Sequence, residues 1–169
     1  MNIHVVGTWE IVHHRQCADP GVDLFAWDVP DKYVIDRQTV KNALVDSGID
    51  LILRRAFEGN ALALPTTIQL GTSAAAFSRT QTGCQAAIVA NGLEEATATL
   101  ALFARLTGGS FIDRATMSKT FAASGAAHDV TEFCVRSVTP RCINRTLASQ
   151  HVDDGANLTV TYNLDINTT

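Results

Sequence analysis

Asn157-Leu-Thr-Val-Thr-Tyr-Asn-Leu-Asp-Ile166 reads as a strand with two unlike faces. Leu158, Val160, Tyr162, Leu164 and Ile166 fall on one side of the pleat, and Thr159, Thr161, Asn163 and Asp165 fall on the other. Alternation this strict argues for an antiparallel sheet with one face against a core and one face in water. The turn before it, Asp153-Asp154-Gly155, carries residues that favour tight backbone geometry.

The same period recurs outward from this segment. Ile3–Val12 alternates with apolar residues on both sides, which predicts a strand covered on both faces at one end. Pairs of strands are expected at Ala98–Leu106 with Phe111–Phe121 across Gly108-Gly109, and at Val130–Val138 with Arg141–Ala148 across Thr139-Pro140. Leu64–Leu70 reads as a strand that Pro65 confines to an edge or a strand start. Shorter strands are expected at Asp23–Asp28 and Tyr33–Arg37, and another at Gln85–Ala90. One helix is expected over 47–58. Ser47 and Asp50 form an S-x-x-D start, Ile49, Ile52, Leu53, Ala56 and Phe57 make one apolar stripe, and Gly59 ends it. The predicted fold is mainly β: an antiparallel sandwich or barrel-like domain of about eight or nine strands with one short helix. A single domain spans 1–169, with long loops near 13–34 and 71–92 and no internal repeat.

Composition is consistent with that reading. Apolar residues make up 46% of the 169 residues and charged residues 18%, below the usual quarter or so. A sparse-charge domain has a large core or covers part of its surface with other chains. Net charge is −4, so the chain lacks the basic stripe that nucleic acid requires. Arg outnumbers Lys, which suits bidentate pairing at protein interfaces and equally a GC-rich genome. The N-terminal residues have neither a basic nor an apolar signal region, and no stretch approaches the roughly 18 apolar residues of a membrane span.

Motifs for chemistry are weak. Gly71-Thr72-Ser73-Ala74-Ala75 lacks the second glycine and following helix of a nucleophile elbow. His13 and His14 are adjacent on a strand, so their rings point to opposite faces, and they read as a solvated strand end. Cys17, Cys84, Cys134 and Cys142 have no metal-type spacing and read as free, largely buried thiols. Glu94-Glu95 reads as a loop pair without a partner. No catalytic, cofactor or metal residues are assigned. Aromatic and Arg side chains on the two long loops are the candidate contact residues: Trp27 and Tyr33 on the first, Phe77 and Arg79 on the second.

Five stretches in order carry a family resemblance: Gln38–Asp50, Ile68-Gln-Leu-Gly-Thr, Val130-Thr-Glu-Phe-Cys-Val, Arg145-Thr-Leu and Leu158-Thr-Val-Thr-Tyr-Asn-Leu. Together they resemble small virion proteins of tailed bacteriophages and span most of the chain. The chain departs from that group at Cys134, where Gly is common, at Ser73, where a second Gly is common, and at Tyr162, where Trp is usual. The resemblance implies a virion accessory role, as a head decoration or cement protein or a neck or tail component. It implies a homo-oligomer, with a trimer as one symmetry, that contacts other capsid, neck or tail proteins; the charge balance and the lack of an apolar span add the expectation of no direct nucleic-acid or membrane contact. It transfers no catalytic residue. The alternatives are a carbohydrate- or receptor-binding sandwich of a tail fibre, and a hydrolase with an unrecognised site involving His13, His14 or Cys84.

Overall fold

A computed structural model describes residues 3–19, 22–42, 48, 50, 54, 65–76, 78, 80–103, 114–137 and 141–168. Among the described residues, nine strands form two antiparallel sheets: β1 (Ile3–His14), β2 (Val34–Asn42), β3 (Pro65–Gly71), β4 (Ala96–Thr97), β5 (Thr99–Phe103), β6 (Arg114–Ala122), β7 (His128–Ser137), β8 (Arg141–Val152) and β9 (Asn157–Thr168). One sheet has the order β2-β1-β9-β6-β5 and the other β4-β3-β7-β8. The predicted mainly-β sandwich is the observed architecture. Of the helix expected over 47–58, Gly48, Asp50 and Arg54 are helical, with Arg54 Nε donating to Asp50 Oδ1 at 2.8 Å; the rest lies outside the described residues.

β9, whose pattern predicted the fold, sits in the middle of the larger sheet between β1 and β6. It pairs with β1 without a break from Ile3↔Thr168 to His14↔Asn157. Its inner face supplies the core as expected. One row across the sheet runs Val40, Trp9, Tyr162, Met117 and Leu100, each opposite the next in register. Trp9 is fully buried, 4.9 Å from the Tyr162 ring and 6.2 Å from the Phe133 ring of the opposing sheet. Its indole N–H donates to Asn144 Oδ1 of β8 at 2.7 Å. Offset and tilted aromatic pairs of this kind add to plain area burial.

The outer face of β9 corrects the expectation of a wet surface. Thr159, Thr161 and Asn163 are completely buried and Asp165 nearly so. The first long loop lies across them as a strap. Asp23–Asp28, expected as a strand, is instead an extended segment ending in a 3-10 turn, Ala26–Asp28. Its backbone bonds to hydroxyls where a strand would bond to a neighbouring backbone. Ala26 N–H donates to Thr161 Oγ1 at 2.9 Å, Leu24 N–H to Thr120 Oγ1 at 3.1 Å, and Ser118 Oγ to the Leu24 carbonyl at 2.6 Å. Cross-strand contacts Ser118–Thr161 and Thr120–Thr159 complete the network at 2.7 and 2.8 Å. A buried hydroxyl or amide is tolerated when it is hydrogen-bonded, and here protein groups replace the expected water. Further along the face Arg114 grips Asp165 with two nitrogens, at 2.7 and 3.0 Å. The short strand expected at Tyr33–Arg37 is longer, Val34–Asn42, and pairs with β1.

The smaller sheet is strapped in the same manner by the second long loop. Leaving β3, the chain turns back so that Thr72 N–H donates to the Ala86 carbonyl and Ile88 N–H to the Leu70 carbonyl, both at 2.9 Å. Gln85–Ala90, expected as a strand, contributes a single bridge, Ala87 to Gly71. Cys84 N–H donates to Gln69 Oε1, and Gln85 and Ala86 N–H to the two Glu132 oxygens, at 2.8, 2.8 and 3.2 Å. Gly71 makes this approach possible: a Cβ there would stand 2.5 Å from Glu132 Oε2 and 2.9 Å from the Ala86 carbonyl. The loop then closes through a turn at Asn91-Gly92, both with positive φ, as their sequence suggests.

Candidate protein-binding surface

The strap over β9 presents the clearest surface feature. Along it, Leu24 and Ala26 engage the hydroxyl face, so alternation turns Phe25 and Trp27 away from it. Their rings stack 4.8 Å apart and 2° from parallel, and Trp27 is 41% exposed. The turn carrying them is pinned from β2, where Arg37 donates to the carbonyls of Ala26 and Val29 at 3.2 and 3.4 Å. Beneath it Ala26 and Val29 pack on Val12. An aromatic pair held this firmly loses little conformational freedom when a partner covers it.

Of the four sequence-predicted contact residues, Trp27 occupies this exposed position. Tyr33 ends the next 3-10 turn, Asp31–Tyr33, half-buried with the Lys32 ammonium 4.9 Å from its ring centre. Phe77 and Arg79 lie outside the described residues. Sequence reasoning passed over Phe25, although its i, i+2 spacing from Trp27 on an extended segment was a visible signal. A second apolar surface lies at the edge of the larger sheet, where β5 exposes Leu100 and Leu102 by 48% and 55%. They belong to the core-facing rows of Met117 and Ala115. Edge strands with apolar side chains are templates for association.

The residues tested for chemistry are integrated into the framework. Ser73 Oγ accepts the Ala75 N–H at 3.1 Å and lies 3.4 Å from Gln85 Oε1, a local turn arrangement. Glu95, expected to lack a partner, accepts from Thr67 Oγ1 at 2.6 Å and Gln69 Nε2 at 3.0 Å and pairs with Arg136. Three cysteines distant in sequence converge beneath the second strap. Cys84 Sγ lies 2.7 Å from Cys134 Sγ, and Cys142 packs on the same group. Ligand atoms of Cys84, Glu132 and Cys134 all lie within 4.8 Å of one another. Spacing gave no hint of this, because the strap brings together positions from three separate segments. Glu132 is committed to Arg145 and to two strap amides, which leaves thiols as the available donors.

His13 and His14, expected at a solvated strand end, are both buried, on opposite faces. Nδ1 of His14 lies 2.7 Å from the Arg15 carbonyl, which requires a proton on that nitrogen. Nε2 lies 2.8 Å from Thr159 Oγ1 and, in the neutral ring, accepts from it at the end of a chain that starts from Leu24 N–H and passes through Thr120. That direction needs a neutral ring. Burial pushes the His14 pKa below its ordinary 6.5, opposed in part by the Arg15 carbonyl and aided by His13. Burial also lowers His13, opposed by Asp153 and Asp36 and aided by His151. Exposed His151 shifts upward, chiefly through its bond to Asp129.

A lowered folded pKa means that the unfolded chain binds more protons below pH 6.5. Stability from the neutral rings is therefore complete above that pH and is lost as pH falls from 6.5 through the folded values. Each unit of depression corresponds to about 1.4 kcal/mol at the acid end of the window. We expect the unfolding midpoint to drop between pH 7 and 5, and the H14Q variant to show a flatter profile. A variant profile as steep as that of the parent chain would refute the role of His14.

No family model matches the chain, and comparison with curated proteins and with solved structures returns no match to either. Among the described residues no helix is long and apolar enough to cross a membrane.

Proposed function

We propose that this chain is a non-catalytic structural protein of a tailed-bacteriophage particle, acting as a homo-oligomer that binds neighbouring capsid, neck or tail proteins. The observation that carries the reading is Trp27, exposed and stacked on the half-buried Phe25 ring, on a strap that hydroxyl bonds and Arg37 hold in place. Aromatic anchors on rigid supports are where interfaces concentrate their energy. The resemblance of five ordered stretches to small virion proteins supplies the particle, and sparse charge suits surfaces covered by other chains. Many weak contacts on a repeated lattice add by avidity, so one modest patch per copy suffices.

The experiment is light scattering on the purified chain, followed by binding measurements against capsid, neck and tail proteins of one phage particle. We expect an oligomer and measurable affinity for one of those proteins. W27A should retain its unfolding free energy to within about 0.5 kcal/mol and lose roughly 30-fold or more in affinity, the scale of a hot-spot residue. A strict monomer that binds none of them would end the proposal. The exposed Trp27 face also favours a second reading, a carbohydrate-binding module of a tail fibre, since saccharides stack on such rings. Glycan-array binding lost in W27A would select that reading.

A further inference from the structure

Beyond the proposed assembly role, we propose that Cys84 and Cys134 are a disulfide-forming pair that staples the second strap onto β7 when the protein meets a small-molecule disulfide. The two sulfurs lie 2.7 Å apart, inside ordinary contact distance and within an ångström of the roughly 2.05 Å bond. Both side chains are held on target. Cys84 N–H is anchored to Gln69 Oε1 at 2.8 Å and its Sγ lies 3.3 Å from the Gln69 carbonyl. Gln69 stands opposite Cys134 in the β3–β7 register.

Cys84 is also the thiol within reach. It lines a cavity of about 440 Å³ formed with Gln69, Gly83, Gln85 and Arg136 among others. Cys134 is wholly buried beneath it. The chemistry follows from that order. Cys84, as its thiolate, attacks one sulfur of the small disulfide, whose S–S bond breaks to release one thiol carrying the proton that Cys84 gave up. Cys134 then attacks Cys84 Sγ and displaces the second small thiol, which takes the Cys134 proton. The protein loses two hydrogens, and its two electrons reduce the small disulfide to two thiols.

Two competitors sit in the same cluster. Cys142 also hydrogen-bonds Cys134 while its Sγ lies 3.2 Å from the Asn144 carbonyl, but it is wholly buried and does not line the cavity through which a small disulfide would enter, as Cys84 does. A divalent metal would find Glu132 bound by Arg145 and two amides, and would sit against the Arg145 charge. Burial raises the Cys84 and Cys134 thiols, so the thiolate is scarce at neutral pH. The staple should therefore form slowly there and roughly tenfold faster for each pH unit of increase.

The test incubates the full chain with glutathione disulfide, blocks remaining thiols and maps tryptic peptides without reduction. Arg79, Arg136 and Arg141 place the three cysteines on separate peptides. We expect a Cys84–Cys134 linked pair, an unfolding midpoint raised by roughly 5–15 °C and reversal by dithiothreitol. The C142S variant should behave alike, and C84S should give no internal link. A Cys134–Cys142 link, or three thiols still open to blocking in the folded and the urea-unfolded, refolded protein, would overturn the proposal. So would protection of the thiols by zinc alone at micromolar concentration, which would make the cluster a metal site.

Discussion

Replacing Arg145 by methionine is expected to lower stability by about 3–5 kcal/mol, the largest effect of any single change on the smaller sheet. Arg145 and Glu132 are 1% and 0% exposed, and Arg145 Nε is bonded to Glu132 Oε1. Removing the guanidinium leaves a carboxylate inside the protein with two amide donors for support. A lone buried charge of that kind is far more costly than a missing ion pair at the surface. Arg145 also donates to the Ala75 carbonyl at 3.1 Å, so the change loosens both ends of the second strap. The R145M/E132Q double variant should recover part of the loss, because glutamine keeps an acceptor for one strap amide and carries no charge. Urea unfolding with an unchanged m-value would measure both. A loss below about 1 kcal/mol in R145M would mean that water reaches Glu132.

The buried pair marks where sequence reading stops. Period-two alternation identified Asn157–Ile166 as a strand and correctly assigned Tyr162 and its neighbours to the core. It assigned Thr159, Thr161 and Asn163 to solvent, because a hydroxyl satisfied by water and one satisfied by a strap carry the same letter. The strap was equally ambiguous. Asp23–Asp28 alternates as a strand does, and the alternation is used, with Leu24 and Ala26 turned inward and Phe25 and Trp27 outward. Its partners, however, are the side chains of Ser118, Thr120 and Thr161 in place of a strand's backbone. The same reason explains His13 and His14, both expected at a solvated strand end and both buried. The exposed aromatic was legible because Trp27 lay on a loop; its stacking on Phe25 was not, since it depends on how the loop is pinned. The thiol cluster was invisible, because Cys84, Cys134 and Cys142 meet only when the second strap crosses its sheet.

Trp9 should show the largest single loss in the core, and two variants separate its causes. W9A removes a ring packed against Tyr162 within its own sheet and Phe133 of the other, which should cost about 3–5 kcal/mol or abolish folding. W9F keeps an aromatic ring at the centre and deletes the indole N–H. Asn144 Oδ1, fully buried and 2.7 Å from that donor, would then lose its Trp9 bond at about 1–3 kcal/mol. If inter-sheet packing dominates, W9A should cost at least twice as much as W9F in chemical denaturation. Equal losses would assign the role of Trp9 to the polar tie between β1 and β8. The first outcome follows from position: Trp9 sits opposite Tyr162 in the β1–β9 register, so the row crossing all five strands depends on its bulk. Losing that bulk should weaken the support of Leu100 at the far edge. A mutation at the centre would thereby alter a surface available for assembly, and W9F, which preserves the row, should leave oligomer size unchanged.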